Sequence, residues 1–214
     1  MTLTQRAESF DPQLLLRWSV GVACATIALK SLAWWLTGSV GLLSDAMESI
    51  VNLVSAVFAL QMVRIANQPA DEGHPYGHHK AEYFAAGFEG MLIFVAAAAI
   101  IWTAVERLIT PQPLEQVGLG LVLSVISAAL NGALAWVMLQ SARRHRSLAL
   151  EGDARHLFTD VWTSAGVIVG VGLVTLSGWL WLDPVVAILV ALNIVREGSS
   201  LMWRSAEGLM DRSL

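Results

Sequence analysis

The sequence predicts an all-α membrane protein with six transmembrane helices, and three observations support this prediction. Hydrophobic residues make up 56% of the 214 positions and charged residues only 14%, which is too apolar for a soluble domain of this length. The apolar residues come in blocks of about 20, the length that crosses a bilayer as an α-helix. Polar or turn-forming connectors separate the blocks. Helices of this length satisfy their own backbone hydrogen bonds within hydrocarbon.

The six spans follow one another along nearly the whole chain. Residues 1–13 are polar and are predicted to form a cytoplasmic N-terminal segment without a cleavable signal. The transmembrane domain covers 14–204, the loop after the second span covers 66–82, and 205–214 is predicted to be a short tail. The predicted spans are about 14–36, 40–63, 83–105, 117–139, 157–176, and 180–195 or a little beyond.

Basic residues are concentrated on one side of this arrangement. Of the 13 Lys and Arg residues, only Arg107 falls on the opposite side, and Lys30 lies within the first span. Basic residues favour the cytoplasmic side of a membrane. We therefore expect both termini and the second–third loop to face the cytoplasm.

The fifth span begins with ionisable residues that are costly in hydrocarbon. His156 and Asp160 are four residues apart, so they lie on one face of a helix. Residues of this kind normally face a cavity, pair with each other or bind an ion. The alternative is a polar pair at the level of the lipid headgroups.

The second span carries a matching polar stripe. Asp45, Glu48 and Asn52 follow the spacing i, i+3, i+7, which places them within about 60° of helical arc. Together with the fifth span they supply about four oxygen and imidazole donors, a set that suits tetrahedral Zn²⁺ or a similar ion. The single Cys24 lies in the first span, so no cysteine-based metal site or disulfide framework is expected.

Several motifs, in this order along the chain, resemble those of a known family. They are Thr37-Gly-Ser-Val40, Ser44-Asp-Ala46, His74-Pro-Tyr-Gly-His78 with Lys80-Ala-Glu82, and Asp153-Ala-x-His156-x-x-x-Asp160 followed by Ser164. The chain resembles the cation diffusion facilitators, proton-coupled exporters of zinc and related divalent metals. The resemblance implies that the transport site is formed by Glu48, Asn52, His156 and Asp160.

The second-span half of this site departs from the family pattern, which usually has Asp or His at the first position and Asp at the second. Asn52 offers a neutral carbonyl oxygen, a weaker zinc ligand than a carboxylate. Either Asp45 or a water supplies the deficit in this hypothesis. The alternative for Asp45 is a helix N-cap, or a hydrogen-bond acceptor behind the ligands.

The loop at 66–82 holds a second candidate metal site. By resemblance, Asp71, His74 and His78 match a loop metal site of some relatives, and two imidazoles with one carboxylate are a reasonable zinc set. The alternative is a solvated loop whose histidines only tune surface charge. The glycines and proline within it indicate a defined turn.

The function implied by the resemblance is export of Zn²⁺ or Cd²⁺ from the cytoplasm in exchange for protons. We expect a homodimer in the lipid bilayer of a bacterial inner membrane, with the transported metal and protons as partners, no cofactor and no nucleic acid. His156 and Glu48 are the expected proton carriers, because metal and proton compete for the same lone pairs.

Three functions other than zinc export are alternatives for this sequence. One is an Fe²⁺ or Co²⁺ exporter of the same family, and another is a membrane metal sensor without transport. An intramembrane metalloenzyme is disfavoured, because the sequence contains no His-Glu-x-x-His motif. Family members usually continue into a cytoplasmic metal-binding domain after the sixth span. We expect this chain to lack that domain, as a natural variant or a truncation.

Overall fold

A computed structural model describes residues 12–145 and 148–210, and these residues form six α-helices and no strand. The helices are α1 Pro12–Thr37, α2 Val40–Ala66, α3 Ala81–Ile109, α4 Val117–His145, α5 Leu148–Ser177 and α6 Leu182–Leu209. All six contain a stretch long and apolar enough to cross a membrane. The predicted six-span all-α fold is confirmed. Residues 1–11 of the predicted N-terminal segment and 211–214 of the predicted tail lie outside the described residues.

Two helices extend beyond the predicted spans. Helix α5 starts nine residues before the predicted span 157–176, so the whole motif 153–160 is helical. Helix α6 continues to Leu209, so the first five residues of the predicted tail 205–214 are helical as well. Hydropathy marks only the part of a helix that matches hydrocarbon. Polar pairs such as Glu151 with Arg155, 2.6 Å apart, continue the helix beyond it.

The helices build their hydrophobic core in two sets of three. One cluster of buried side chains comes from α2, α3 and α6, and another comes from α1, α4 and α5. A third cluster, around Leu42 on α2 and Val167 on α5, joins the two sets. Helices α2 and α5 therefore lie where the sets meet.

Glycines allow α3 and α6 to approach closely. A Cβ added at Gly90 would lie 2.6 Å from Cγ of Met202 and 3.0 Å from the carbonyl oxygen of Gly198. Small residues let membrane helices pack backbone against backbone. The Ser205 hydroxyl also donates to the carbonyl oxygen of Tyr83 at 2.7 Å. The two helices therefore form a tight pair.

A carboxylate from α6 fixes the N-terminus of α2. Buried Asp183 accepts hydrogen bonds from the backbone N–H of Val40 at 2.7 Å and of Gly41 at 3.2 Å, and from the hydroxyl of Ser39. Ser39 is the N-cap, and its oxygen accepts from the N–H of Leu42 at 3.1 Å. The first N–H groups of a helix need such acceptors, and a negative charge there is favourable.

A buried ion pair joins α1 to α2 and α5. The Nζ of Lys30 lies 2.8 Å from Oδ1 of Asp45, and both side chains are 2% exposed. Lys30 also donates to Oγ of Ser49 at 2.9 Å, and the Ser164 hydroxyl donates to Asp45 Oδ1 at 2.8 Å. Charges in an apolar interior persist only when they are paired and hydrogen-bonded. This pair therefore holds three helices in register.

We predict that Lys30→Met destabilises the protein strongly, because it leaves the buried Asp45 carboxylate without its partner. Removing one partner of a buried ion pair typically costs about 3–5 kcal/mol. The double variant Lys30→Met/Asp45→Asn removes both charges and should regain much of the loss. Thermal unfolding in detergent measures both. A single variant as stable as the double would contradict the prediction.

Candidate functional site

A cavity of about 90 Å³ lies between α2, α3, α5 and α6, within the membrane-spanning stretches. All four residues predicted for the transport site line it, namely Glu48, Asn52, His156 and Asp160. We call it the α3/α6 cavity. Its volume admits a metal ion together with more than one water. The fold thus brings the polar stripes of α2 and α5 to one enclosed space.

Two of the predicted ligands in this cavity, Glu48 and Asp160, have buried carboxylates. Glu48 is 9% exposed, and its Oε2 has no hydrogen-bond partner within the described residues. Asp160 is 7% exposed, whereas the His156 side chain is 49% exposed. The distance from Nε2 of His156 to Oδ1 of Asp160 is 3.9 Å, too long for a hydrogen bond. Burying a carboxylate oxygen without a partner costs free energy unless the oxygen binds a proton or a cation.

A second cavity, of about 140 Å³, lies behind the same residues between α1, α2, α4 and α5. Asn52, His156 and Asp160 line both cavities. We call this second space the α1/α4 cavity. Asp153 and Asn131 add polar groups to its wall. Three of the four predicted ligands therefore stand between two cavities.

The predicted ligands share a cavity without converging on one point. Within residues 12–145 and 148–210, the only three His, Cys, Asp or Glu residues with ligand atoms within 4.8 Å of one another lie in the α2–α3 loop. The ligand atoms of Glu48, His156 and Asp160 are therefore more widely spaced. A metal bound by all three requires these side chains to close around it, or water to bridge the gaps.

Asp45 takes a different place from the other residues of the α2 stripe. It is 1% exposed, faces Lys30, and is not among the described residues that line either cavity. The N-cap of α2 is Ser39, so the alternative that Asp45 caps this helix is wrong. The reason is that α2 begins five residues before Asp45, at Val40. The ion pair favours a role for Asp45 behind the ligands over direct metal binding.

The loop residues Asp71, His74 and His78 form the compact group just described. Nδ1 of His74 lies 3.0 Å from Oδ1 of Asp71, and Nε2 of His78 lies 3.4 Å from Oδ2. The two imidazole rings have their centroids 4.3 Å apart. Gly77, with φ of +81°, takes the left-handed conformation that lets the loop turn. The geometry brings all three predicted loop ligands together.

Hydrogen bonds set the ionisation of the loop carboxylate. Donation from the backbone N–H of His74, and then from its ring, lowers the pKa of Asp71 below its ordinary value. Asp71 therefore remains a carboxylate, the form that binds metal, at neutral and mildly acidic pH. Its hydrogen bonds stabilise the loop above the unfolded pKa and lose this effect as the pH falls through the lowered value.

Two further acidic residues line the α3/α6 cavity and were not assigned to the site from sequence. They are Glu89 on α3 and Glu197 on α6, and neither is the partner of the buried Lys30, which pairs with Asp45. Glu197 on α6 lies near the end of the predicted sixth span, inside the predicted transmembrane domain 14–204. An ionisable residue within a membrane helix itself indicates a functional site. This signal was present at Glu89, which lies in the third predicted span.

Comparisons with known proteins agree with the membrane-spanning fold. A family model described as the cation efflux transmembrane domain matches residues 16–210. The "Uncharacterized transporter sll1263" of Synechocystis is 51% identical over 196 residues, which cover 92% of this chain and 63% of the relative.

Proteins named "Cation-efflux pump FieF" are also similar. That of Shewanella oneidensis is 33% identical over 214 residues, covering 100% of this chain and 72% of the relative. That of Klebsiella pneumoniae is 32% identical over 196 residues, covering 92% and 65%. The chain thus spans roughly two thirds of the length of these relatives.

Six apolar helices and bacterial relatives indicate an integral protein of the inner membrane. The family consists of transporters and not of enzymes. Because the family model covers nearly the whole chain, the chain belongs to the cation efflux family, the cation diffusion facilitators.

Proposed function

We propose that this chain binds a divalent metal, Zn²⁺ in the first place, between α2 and α5 and exports it from the cytoplasm in exchange for protons. The observation that carries the proposal is the α3/α6 cavity. It places Glu48, Asn52, His156 and Asp160 around one space inside the membrane, with a buried Glu48 oxygen that lacks a partner. The relatives named cation-efflux pumps support the direction of transport.

The donor set favours zinc on grounds of charge and ligand type. Glu48 and Asp160 together carry two negative charges when deprotonated, which balance one divalent cation. His156 adds an imidazole nitrogen and Asn52 a carbonyl oxygen. Imidazole with carboxylates suits Zn²⁺, Cd²⁺, Co²⁺ and Fe²⁺, whereas Mg²⁺ and Mn²⁺ prefer oxygen ligands. Cd²⁺, and Fe²⁺ or Co²⁺, are therefore the rival substrates.

Proton exchange follows from the same donors. Metal binding requires deprotonated ligands, so each bound metal displaces protons and each returning proton helps to release the metal. His156 is the leading carrier, because its ring nitrogens can bind either a proton or the metal and the side chain is half exposed. Glu48 is the second carrier, with a buried oxygen that a proton would complete.

The position of the site suits alternating access. It lies where the two helix sets meet, with Glu48 on α2 and His156 on α5. Rocking of one set against the other would expose the site to each side in turn. The basic side of the chain, which carries the α2–α3 loop, is proposed to face the cytoplasm. We further propose that the chain works as a homodimer, as the family resemblance implies.

The loop group is proposed as a second, modulating metal site. Asp71, His74 and His78 have their ligand atoms within 4.8 Å of one another, which suits a single zinc ion. They belong to the α2–α3 loop and not to the membrane cavities. A metal here would stiffen the loop beside the end of α6, where Nζ of Lys80 donates to the carbonyl oxygen of Leu209 at 3.2 Å.

Uptake of zinc by sealed vesicles that contain the purified protein tests the proposal. With a proton gradient across the membrane, we expect zinc to move against the protons, and collapse of the gradient to slow it. A metal sensor would bind zinc without moving it. Competition by Cd²⁺, Co²⁺, Fe²⁺ and Mn²⁺ in the same vesicles ranks the substrates.

His156→Ala and Asp160→Ala are each expected to abolish zinc uptake while the protein still inserts and folds. Each removes a direct ligand that neighbouring groups cannot replace in the right geometry. Thr163→Ala, one turn beyond Asp160 on the same helix, serves as the matched control. Uptake at the wild-type rate in either ligand variant would refute the site assignment.

Replacing Asp71, His74 and His78 together by alanine should lower the apparent zinc affinity or the stability of the dimer, with uptake still measurable. The reason is that the loop metal holds a surface element and does not cross the membrane. Zinc uptake and size-exclusion chromatography measure the two effects. Complete loss of uptake in a well-folded triple variant would show that the loop carries transport.

Asn52→Asp is expected to lower the half-saturating zinc concentration without raising the maximal rate. The substitution adds a third negative charge and a stronger donor, but tighter binding in both conformations does not speed transport. Asn52→Ala should weaken binding modestly, because a water can replace an amide oxygen. Zinc affinity and uptake measured on the same preparations test both expectations.

The alternative for the fourth ligand makes a different prediction. If Asp45 is that ligand and Asn52 a bystander, both Asn52 variants would behave like wild type. Asp45→Asn would then abolish zinc uptake in protein that remains folded.

A further inference from the structure

The α3/α6 cavity carries more negative charge than its four predicted ligands account for. Glu89 on α3 and Glu197 on α6 line it opposite the polar stripes of α2 and α5. Both belong to helices whose apolar stretches span the membrane. In the described part of the chain, neither carboxylate forms an ion pair with a Lys or Arg side chain. Acidic residues placed in this way normally face a water-filled space or an ion path.

An independent observation indicates that this cavity receives a cation. Glu48 is nine-tenths buried, lines the same cavity, and has an oxygen without a hydrogen-bond partner in the described residues. That oxygen belongs to the proposed transport site itself. The acidic pair therefore borders a space that already holds an incompletely paired carboxylate.

The α1/α4 cavity is lined by fewer acidic side chains than the α3/α6 cavity. The α1/α4 cavity reaches the same Asn52, His156 and Asp160, but Asp153 is its one further acidic residue among those described. A cleft with low-dielectric walls and charges of one sign concentrates counter-ions and speeds their arrival. Of the two approaches to the site, the α3/α6 cavity attracts a divalent cation more strongly.

We propose that Glu89 and Glu197 form an acidic entry station through which a hydrated divalent metal reaches the site from the α3/α6 cavity. The two carboxylates attract the ion with its water shell and do not join its final ligand set. This inference rests on the proposed function. Its specific content is the route of the metal and the role of two residues outside α2 and α5.

The position of the pair explains how entry and binding are kept separate. Glu89 and Glu197 belong to α3 and α6, the close-packed pair, while the proposed ligands belong to α2 and α5. A metal held first by carboxylates of one helix pair and then by ligands of the other keeps an attractive partner throughout its passage. Loss of the station slows capture at low metal concentration and leaves the later steps intact.

The test measures zinc uptake by sealed vesicles at low and at physiological salt for Glu89→Gln/Glu197→Gln. We expect the half-saturating zinc concentration to rise about fivefold or more at low salt, with the maximal rate nearly unchanged. The rise should shrink at higher salt, because ions screen the attraction. Glu197→Gln alone should raise the half-saturating zinc concentration less. Because Glu197 is exposed, this single variant still tests the proposal if the double variant does not fold.

Two control variants test whether the rise depends on the position of the carboxylates and not only on the loss of negative charge. Glu106→Gln removes a carboxylate from the far end of α3 and should match wild type. Asp153→Asn removes the acidic group of the α1/α4 cavity and should raise the half-saturating concentration less than the double variant does. A larger effect of Asp153→Asn, or a wild-type value for the double variant, would overturn the proposed route.

The remaining outcomes separate this inference from the function on which it rests. If the double variant loses its maximal rate and keeps its half-saturating concentration, the pair acts in the transport step and the entry role is wrong. If wild-type vesicles take up no zinc, the proposed function fails and the inference with it. Uptake in wild type, with its loss in His156→Ala, keeps the function even if the entry station is refuted.

Discussion

The buried ion pair between Lys30 and Asp45 is the interaction on which the rest of the site depends. It lies one helical turn from Glu48, and Ser164 of α5 adds a hydrogen bond to the same carboxylate oxygen. Three helices are thereby fixed immediately behind the cavities. The pair also neutralises the charge of Asp45, so Glu48 and Asp160 are the two carboxylates in the ligand set that we propose for a divalent cation. A site of balanced charge can release its metal when protons return.

Helix α2 is held at a second point by Asp183. This carboxylate ties the helix start to α6, while the Lys30 pair ties it to α1 and α5. Both attachments lie in the first turns of α2, between Val40 and Asp45. The polar residues Glu48 and Asn52 follow directly, where the cavities open between the helix sets. Helix α2 is therefore fixed at its start and lined by cavities in its middle, which suits a helix around which other helices rock.

Much of this architecture could be predicted from sequence, and the failures have physical causes. Hydropathy indicates the spans, and helical periodicity indicates that the polar stripes of α2 and α5 face an interior space. Neither identifies contacts between helices distant in sequence, so the partner of Lys30 and the capping role of Asp183 were not predicted. Hydropathy also does not identify which side chains line a shared cavity, so Glu197 was not assigned to the site. The N-cap alternative for Asp45 failed because the helix begins earlier, at Val40.

We propose that one imidazole and three oxygen ligands, all from α2 and α5, bind the transported metal. X-ray absorption spectroscopy at the zinc edge tests it directly, on protein in which Asp71, His74 and His78 are replaced by alanine to remove the loop site. We expect this variant to bind zinc through one imidazole and oxygen ligands at about 2.0–2.2 Å. Adding His156→Ala to it should remove the imidazole signal. An imidazole signal that persists after His156→Ala would contradict this ligand set. So would the absence of any zinc binding when the loop site is removed.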